Sequence, residues 1–399
     1  MANFDDLETR SADQRAADQT GALRRVLAQV AAQPGSCLDG ADQVVTLGDL
    51  SRLPVLRKSD LSAWQKAAPP FGGMVVQNAT HVFQSPGPIY EPGGSSSDWW
   101  RFGRFLTACG IGSDDIIQNC FGYHLTPAGT MFENGARAVG ATVLPAGTGQ
   151  TELQAQAAHD IGCTAYAGTP DYLKVILEKA DAMGLPLKVT KAAVSGGALF
   201  PTLRDYYAAR GIACLQCYAT ADLGQIAYET QVGEGMIVDD GVIVEIVTPG
   251  TGDPVPEGEV GEVVVTSLNP DYPLIRFATG DLSAVMPGQS PCGRTNMRIK
   301  GWMGRADQTT KIKGMFVRPE QVAALVAKHP GMTRARVIAD RDGATDVLEV
   351  ACEGTGLDPA VIAASLPDVL KLKGSVTVVA SGTLARDGVV IEDRRTYET

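Results

Sequence analysis

A chain of 399 residues with 44% hydrophobic and 20% charged residues has the composition of a globular protein with a sizeable buried core. Its formal net charge of −11 disfavours nucleic acids and anionic membranes as partners, because both attract basic surfaces. The N-terminus is charged throughout and no window offers about 18 uninterrupted apolar residues, so we expect a cytoplasmic protein without a signal peptide or membrane span.

Short apolar runs and helical patterns follow one another along the chain in a consistent order. Helical periodicity covers residues 13–32, and from about residue 98 to residue 219 short apolar strands alternate with helices. This alternation implies right-handed βαβ units and a parallel sheet. After Gly224, β-branched runs broken by glycine turns indicate antiparallel strands. Beyond Asp307, strands and helices again alternate, as in a compact α+β unit.

These patterns predict an α/β fold with two domains. The large N-terminal domain, residues 1–305, would combine a parallel sheet flanked by helices with an antiparallel β subdomain, and a small α+β domain would cover residues 306–399. Of the eight cysteines, only Cys214 and Cys217 lie close together in sequence. Their segment has the pattern of a buried strand, so we expect reduced thiols there rather than a redox or zinc pair.

Four stretches, taken in order, resemble the adenylate-forming (ANL) superfamily, and specifically its phenylacetate–coenzyme A ligase-like branch. They are "VSGGALF" (194–200), "CYATADLGQIAYE" (217–229), "YPLIRFATGDL" (272–282) and "GWMGRADQTTKIKGMFVRPEQV" (301–322). "SRLPVLRKSDL" and "GATVLPAGTGQTELQ" also resemble that branch, so the resemblance covers nearly the whole chain. It implies an ATP- and Mg²⁺-dependent ligase that converts a carboxylic acid into an acyl-adenylate and transfers the acyl group to coenzyme A. A homodimer would fit the family.

The resemblance also implies a nucleotide site. Gly196 and Gly197 would let the backbone lie flat against the adenine ring, and Tyr218 would offer it an aromatic face. Asp222 stands where relatives carry Glu and would bind Mg²⁺ at the phosphates as a catalytic residue; alternatively, it only caps a following helix. Asp281 would accept both ribose hydroxyls. The implied nucleotide contacts are Ser195, Gly196, Gly197, Tyr218, Ala219, Thr220, Asp281 and Arg305.

Further roles carried by the resemblance lie in the stretch after residue 300. Arg305, the second implied catalytic residue, would reach the ribose or the α-phosphate through a charge-assisted contact. Asp307 matches the hinge about which the small mobile domain rotates between the two half-reactions. Lys313 and Gly314 would line the channel for the pantetheine arm of coenzyme A, although Lys313 could equally be a solvated strand lysine.

Two features depart from the family pattern. Relatives carry a phosphate loop of the form S-S-G-T-T-G-K-P, whereas this chain has "SPGPIYEP", in which Ser85 and Gly87 survive and the lysine is lost. Prolines remove backbone donors there, and Glu91 adds an acidic group. Near the C-terminus Val389 follows Gly388, where relatives place a catalytic lysine; Arg386, Arg394 and Arg395 are the remaining cations. We therefore expect a weakened grip on pyrophosphate.

Substrate and metal clues are fewer. Phe121, Tyr123 and His124 are candidate walls of an acyl pocket suited to an aryl or arylacetic acid, or alternatively core residues. Some relatives hold a structural zinc ion, but Thr230 and Met236 fall near the expected Cys and His, and only Cys292 remains. We expect no zinc site.

The departures leave other functions open beside the ligase. A pseudoenzyme could bind a nucleotide or acyl-adenylate without carrying out adenylation. An enzyme could also run only the thioester-forming half-reaction, or transfer the adenylyl group to an acceptor other than a carboxylate.

Overall fold

The structure, a computed structural model, describes residues 3–32, 40–74, 76–85, 88–306, 308, 310–313, 315–342 and 345–395. The helices are α1 Ala12–Ala31, α2 Lys58–Ala67, α3 Gly103–Ala108, α4 Ala128–Ala138, α5 Thr151–Ile161, α6 Pro170–Met183, α7 Pro201–Ala209, α8 Pro319–Lys328 and α9 Pro359–Val369. Within the described ranges, no helix is long and apolar enough to cross a membrane.

The strands fall into two series. Those before residue 250 are β1 Ala79–Ser85, β2 Ile89–Gly94, β3 Ile116–Asn119, β4 Thr142–Pro145, β5 Ala165–Gly168, β6 Lys191–Val194, β7 Ala213–Thr220, β8 Gly224–Tyr228, β9 Met236–Val238 and β10 Val242–Val247. Those after it are β11 Val260–Ser267, β12 Phe277–Met286, β13 Arg298–Ile299, β14 Thr310–Ile312, β15 Met315–Val317, β16 Met332–Asp342, β17 Thr345–Gly354, β18 Ser375–Val379 and β19 Ile391–Asp393.

The chain forms two compact units. The first comprises residues 1–244, 265–279 and 286–302, and the second comprises residues 245–264, 280–285 and 303–399. The division into domains after residue 305 stays a prediction.

A long mixed sheet supports the first unit. Its strands β4-β3-β5-β6-β7 are parallel, as the alternation of strands and helices predicts. From β7 onward the order β7-β8-β9-β13 is antiparallel, as the glycine turns predict. Strands β10, β11 and β12 continue the same sheet. The predicted α/β class is thus confirmed.

The parallel strands owe their position to a buried apolar layer beneath helices α5, α6 and α7. Tyr166, Ala192 and Val194 on the strands pack in one cluster with Leu173 and Ile176 of α6, all with negligible exposure. Burial of these side chains supplies the main stabilisation of the layer. Strand β6 ends at Val194, two residues before the first glycine of the pair.

The second unit has its own sheet and core. The order is β18-β17-β16-β19, with β16 and β17 antiparallel and the two outer strands parallel to their neighbours. Val322 and Leu325 of α8 pack with Ile362 and Leu366 of α9 in the cluster that also contains Val337 of the sheet. This is the α+β unit expected beyond Asp307.

Candidate active site

The glycine pair, Gly196 and Gly197, follows strand β6 after Ser195. The Ser195 N–H donates to the Gly168 carbonyl at 3.1 Å, and the Ser195 hydroxyl donates to the Cys217 carbonyl at 3.0 Å. Gly196 has φ +71°, a conformation that a side chain disfavours, and a Cβ there would lie 3.7 Å from the Phe121 ring. Ser195 therefore ties the end of β6 to the segments at Gly168 and Cys217, and the two residues after it have no side chain.

The next motif occupies the end of strand β7. Tyr218 is buried, and Ala219 and Thr220 are half-buried. The register between β7 and β8 shifts between Tyr218 and Ala219, and the Thr220 hydroxyl accepts from the Leu223 N–H at 3.2 Å. Because strand β8 begins at Gly224, no helix follows Asp222. The alternative in which Asp222 caps a helix is wrong.

Asp222 is a buried carboxylate with one engaged oxygen. Its Oδ2 lies 3.1 Å from the Lys58 ammonium, which is 43% exposed at the start of α2. Its Oδ1 is buried and has no hydrogen-bond partner among the described residues. Such an oxygen fits a hard cation, which is the role expected of Asp222 from the sequence. The sequence analysis did not predict a role for Lys58. A lysine inside "SRLPVLRKSDL", in a chain that lacks the lysine of the phosphate loop, could have indicated one.

The described residues of the stretch predicted to replace the phosphate loop lie in the hairpin β1–β2. Ser85 and Glu91 lie on one face of it, because the register pairs Phe83 with Glu91 and Ser85 with Ile89. The Ser85 hydroxyl donates to Glu91 Oε1, and Oε2 is buried without a hydrogen-bond partner in the part of the chain described. Gly87, the other surviving loop residue, lies outside the described residues.

Glu91 is almost completely buried, at 1% exposure. Burial, followed by the negative charge of Asp222, raises the pKa of Glu91 from its ordinary value of 4.5 to about 8. Hydrogen bonds from Ser85 and the charge of Lys58 act in the opposite direction but are weaker. In the absence of a bound cation, Glu91 is therefore mostly protonated at neutral pH.

The raised pKa of Glu91 predicts a pH-dependent gain in stability for Glu91→Gln. Below pH 4.5 both the folded and unfolded states of the wild type hold the proton, but above it the unfolded state loses the proton first. The wild type should therefore lose stability as pH rises towards 8, by about 1.4 kcal/mol for each pH unit at most. In EDTA, urea unfolding should show Glu91→Gln gaining up to roughly 4 kcal/mol over the wild type between pH 5 and pH 8. An equal difference in the free energy of unfolding at both pH values would contradict this.

Two contacts hold the hairpin beside the Asp222 turn. The Trp100 carbonyl accepts from the Gln225 N–H at 3.1 Å, and a Cβ on Gly93 would lie 2.9 Å from the Trp100 indole. Helix α2 begins at Lys58 and, further along, its Gln65 side chain both donates to the Tyr90 carbonyl at 2.7 Å and accepts from the Tyr90 N–H at 2.8 Å. These contacts connect the hairpin β1–β2, helix α2 and the turn at Asp222, which we call the clamped group.

In the second unit, the structure brings Asp281 and Arg305 together. Arg305 Nη1 lies 2.9 Å from Asp281 Oδ1, and the two residues form a backbone bridge. Asp281 is 8% exposed, whereas the Arg305 side chain is 56% exposed. Asp281 lies inside β12, directly after Gly280 at φ +74°. Any side chain at Gly280 would meet the Arg305 guanidinium.

Three further residues were predicted to have roles after residue 305: Asp307, Lys313 and Gly314. Lys313 is exposed in the turn between β14 and β15, and its N–H donates to Asp346 at 3.0 Å. Asp307 and Gly314 lie outside the described residues. Their hinge and channel roles stay predictions.

The described arginines near Gly388 are all paired with carboxylates. Val389 is half-buried, and its N–H donates to Asp387 at 3.0 Å. The three remaining cations are each paired with a carboxylate: Arg386 with Glu259, Arg394 with Glu392, and Arg395 with Asp393 and Asp346. In the first unit, by contrast, Lys58 is paired with Asp222, which is a predicted site residue.

The three candidate acyl-pocket residues have different surroundings. Phe121 stacks on Phe132 with ring centroids 4.4 Å apart and borders the position of Gly196. The Tyr123 hydroxyl accepts from Asn119 at 2.8 Å, and burial, followed by the charge of Glu133, raises its pKa. His124 is exposed. Phe121 is therefore the candidate that lies beside the nucleotide motif.

Cys292 lies in a polar setting where some relatives hold zinc. Burial opposes its ionisation, but hydrogen bonds with Ser290, Thr230 and Arg294 outweigh it and lower the pKa of Cys292 to about 7. Arg294 is also held by Glu8, at 2.8 Å from its Nε. Met236 packs near Gly301. Across the described ranges, no group of three or more His, Cys, Asp or Glu side chains could hold a metal ion.

Comparisons with known proteins agree with this fold. The chain matches no protein-family model. It is 30% identical over 381 residues to the phenylacetate–coenzyme A ligase of Escherichia coli, covering 88% of this chain and 85% of that protein. It is 29% identical over 326 residues to the phenylacetate–coenzyme A ligase of Thermus thermophilus, covering 77% and 72%.

Solved structures give the same assignment. The crystal structure of 2-hydroxyisobutyryl–coenzyme A ligase with 2-HIB-AMP and coenzyme A matches with a TM-score of 0.69 at 25% identity. The match covers 98% of this chain and 91% of that chain. The same ligase in its postadenylation state with R3-HIB-AMP matches with a TM-score of 0.70 at 25% identity, over 97% and 91%.

The fold and the arrangement of motifs are those of an adenylate-forming acyl–coenzyme A ligase. Within that class, the chain belongs to the phenylacetate–coenzyme A ligase family. The reaction that goes with this family is ATP-dependent ligation of a carboxylic acid to coenzyme A through an acyl-adenylate.

Proposed function

We propose that this protein activates an aryl or arylacetic acid and that it retains the adenylation half-reaction despite its altered phosphate loop. The observation that carries the proposal is the Lys58 ammonium, 3.1 Å from Asp222. Adenylation develops negative charge on the phosphates, and a fixed cation that neutralises this charge lowers the barrier. Lys58 reaches the site from α2, so it takes over the duty that the loop lysine has in relatives.

The reaction proceeds in two steps. A substrate carboxylate oxygen attacks the α-phosphorus of ATP and pyrophosphate leaves; the coenzyme A thiol then attacks the acyl carbonyl and AMP leaves. The segment Ser195–Gly197 and the β7 end at Tyr218, Ala219 and Thr220 hold the adenine. Asp281 accepts the ribose hydroxyls, and Arg305 contacts the ribose or the α-phosphate.

Magnesium fits the donors that the first unit presents. The Asp222 Oδ1 atom is a buried carboxylate oxygen without a hydrogen-bond partner among the described residues, and carboxylate oxygens are the protein ligands that Mg²⁺ prefers. When bound, Mg²⁺ would neutralise phosphate charge at the leaving pyrophosphate. Asp222 would hold and orient this ion, and Lys58 would add a second positive charge, supplied by the protein.

An aromatic acid is favoured by the surroundings of Phe121. The stacked pair Phe121 and Phe132 lies beside Gly196 and forms a rigid apolar wall, which suits a flat ring. We further propose a cytoplasmic homodimer with a hinge at Asp307, a boundary after residue 305, and a coenzyme A channel at Lys313 and Gly314.

The pseudoenzyme remains the second candidate because two departures stand. Glu91 is a buried acid where relatives offer donors to phosphate, and the position of the second lysine is Val389. A nucleotide-binding relative without adenylation would bind AMP at least as well as ATP, and added Mg²⁺ would change this little.

The test is acid-dependent exchange of pyrophosphate into ATP. With Mg²⁺ and a panel that includes phenylacetate, benzoate and 2-hydroxyisobutyrate, we expect exchange with at least one aromatic acid. Asp222→Asn should lower the exchange rate by about 100-fold or more, because the metal ligand is weakened. Absence of exchange with every acid, together with AMP binding independent of Mg²⁺, would favour the pseudoenzyme. If that protein forms a thioester from a preformed acyl-adenylate, only the second half-reaction survives.

A further inference from the structure

Three buried polar groups at the phosphate end of the site, all in the first unit, have no hydrogen-bond partner among the described residues. They are Glu91 Oε2, Asp222 Oδ1 and the Tyr272 hydroxyl, and none of the three residues is more than 7% exposed. The two carboxylates interact electrostatically with each other, and both act on Tyr272. The three groups are therefore near enough to one another to interact, and Lys58, 3.1 Å from Asp222, also acts on Glu91.

Buried polar atoms normally have partners, and two neighbouring carboxylates without them are costly. Lys58 engages only Oδ2 of Asp222, and Ser85 engages only Oε1 of Glu91. A divalent cation would satisfy the remaining oxygen of each carboxylate at once. Protein sites for Mg²⁺ commonly use one or two carboxylates together with water and substrate phosphates.

The clamped group supplies the rigidity that such a site requires. Gln65 fixes Tyr90 next to Glu91 by two hydrogen bonds, and Trp100 links the hairpin to the Asp222 turn. Neither carboxylate has to move into place when a ligand arrives. A rigid pair of ligands loses little conformational entropy on binding.

We propose that Glu91 and Asp222 together form a two-carboxylate site for one divalent cation, which loads before the nucleotide. Glu91 then compensates for the missing loop donors, because it holds the cation to which the phosphates bind. Cation binding itself follows from these residues, whereas its use in catalysis rests on the proposed function.

Titration of the nucleotide-free full-length protein with Mn²⁺, followed by electron paramagnetic resonance, tests the site. We expect one bound Mn²⁺ for the wild type, and at least a 10-fold weaker affinity for Glu91→Gln and for Asp222→Asn. Glu152→Gln, which changes an exposed carboxylate on α5, is the matched control and should bind as the wild type does. Circular dichroism of each variant checks that it is folded, and either site variant alone suffices for the comparison.

The outcomes separate this site from the proposed function. A wild type that binds no Mn²⁺ without nucleotide, or a folded Glu91→Gln that binds it unchanged, would overturn the site even if pyrophosphate exchange occurs. Mn²⁺ binding that depends on Glu91 in a protein without exchange would support the site and contradict adenylation.

Discussion

Asp281→Ala is expected to weaken AMP binding by at least about 100-fold and to lower kcat/KM for ATP in pyrophosphate exchange to a similar extent. A carboxylate that accepts both ribose hydroxyls makes two charge-assisted hydrogen bonds, each contributing about 1.5–3 kcal/mol. The substitution also deprives Arg305 of the carboxylate 2.9 Å away, so its guanidinium is less well positioned.

Calorimetry with AMP measures this effect directly. Glu257→Ala, a change at an exposed acid of the second unit, should leave the affinity unchanged. Asp281→Asn keeps the shape and one acceptor and should fall between the wild type and Asp281→Ala. An AMP affinity of Asp281→Ala within about threefold of the wild type would contradict the role given to this residue.

Lys58→Met is expected to lower the rate of acid-dependent pyrophosphate exchange by about 100- to 1,000-fold. The ammonium is the fixed positive charge beside Asp222, and methionine retains the length of the stem without the charge. AMP has no β- or γ-phosphate, so its affinity should change little. This difference between exchange rate and AMP affinity distinguishes charge stabilisation from a general loss of structure.

Lys66→Met on the same helix is the matched control, since Lys66 is exposed in the last turn of α2. It should exchange pyrophosphate as the wild type does. Equal exchange rates for Lys58→Met and the wild type would show that another group supplies the charge.

The order of strands and helices was predictable because burial imposes local patterns. Continuous apolar runs mark the parallel strands, and glycine turns mark the change to antiparallel pairing at Gly224. The alternation of strands and helices that begins at about residue 98 does not show where its first helix starts, and α3 begins only at Gly103. Asp98 and Arg101 adopt left-handed conformations, which a helical pattern does not reveal.

The site was predictable in its motifs but not in its spatial partners. The pairing of Asp281 with Arg305 joins two residues to which the resemblance gives roles, whereas Lys58 has no such role and lies 164 residues from Asp222 in sequence. The same holds for Glu91, whose effect depends on its burial and on the charge of Asp222. Such relations arise only when distant segments pack together.

The hairpin held by Gln65 and Trp100 has a consequence for the energetics and rate of nucleotide capture. A flexible glycine-rich loop must be ordered around the phosphates each time ATP binds, and that ordering reduces the affinity. Here the strands that flank the loop position are already fixed by hydrogen bonds and ring packing. Under the proposed function, the sequence at the loop position offers fewer donors to the phosphates, but the strands beside it need no ordering when ATP binds.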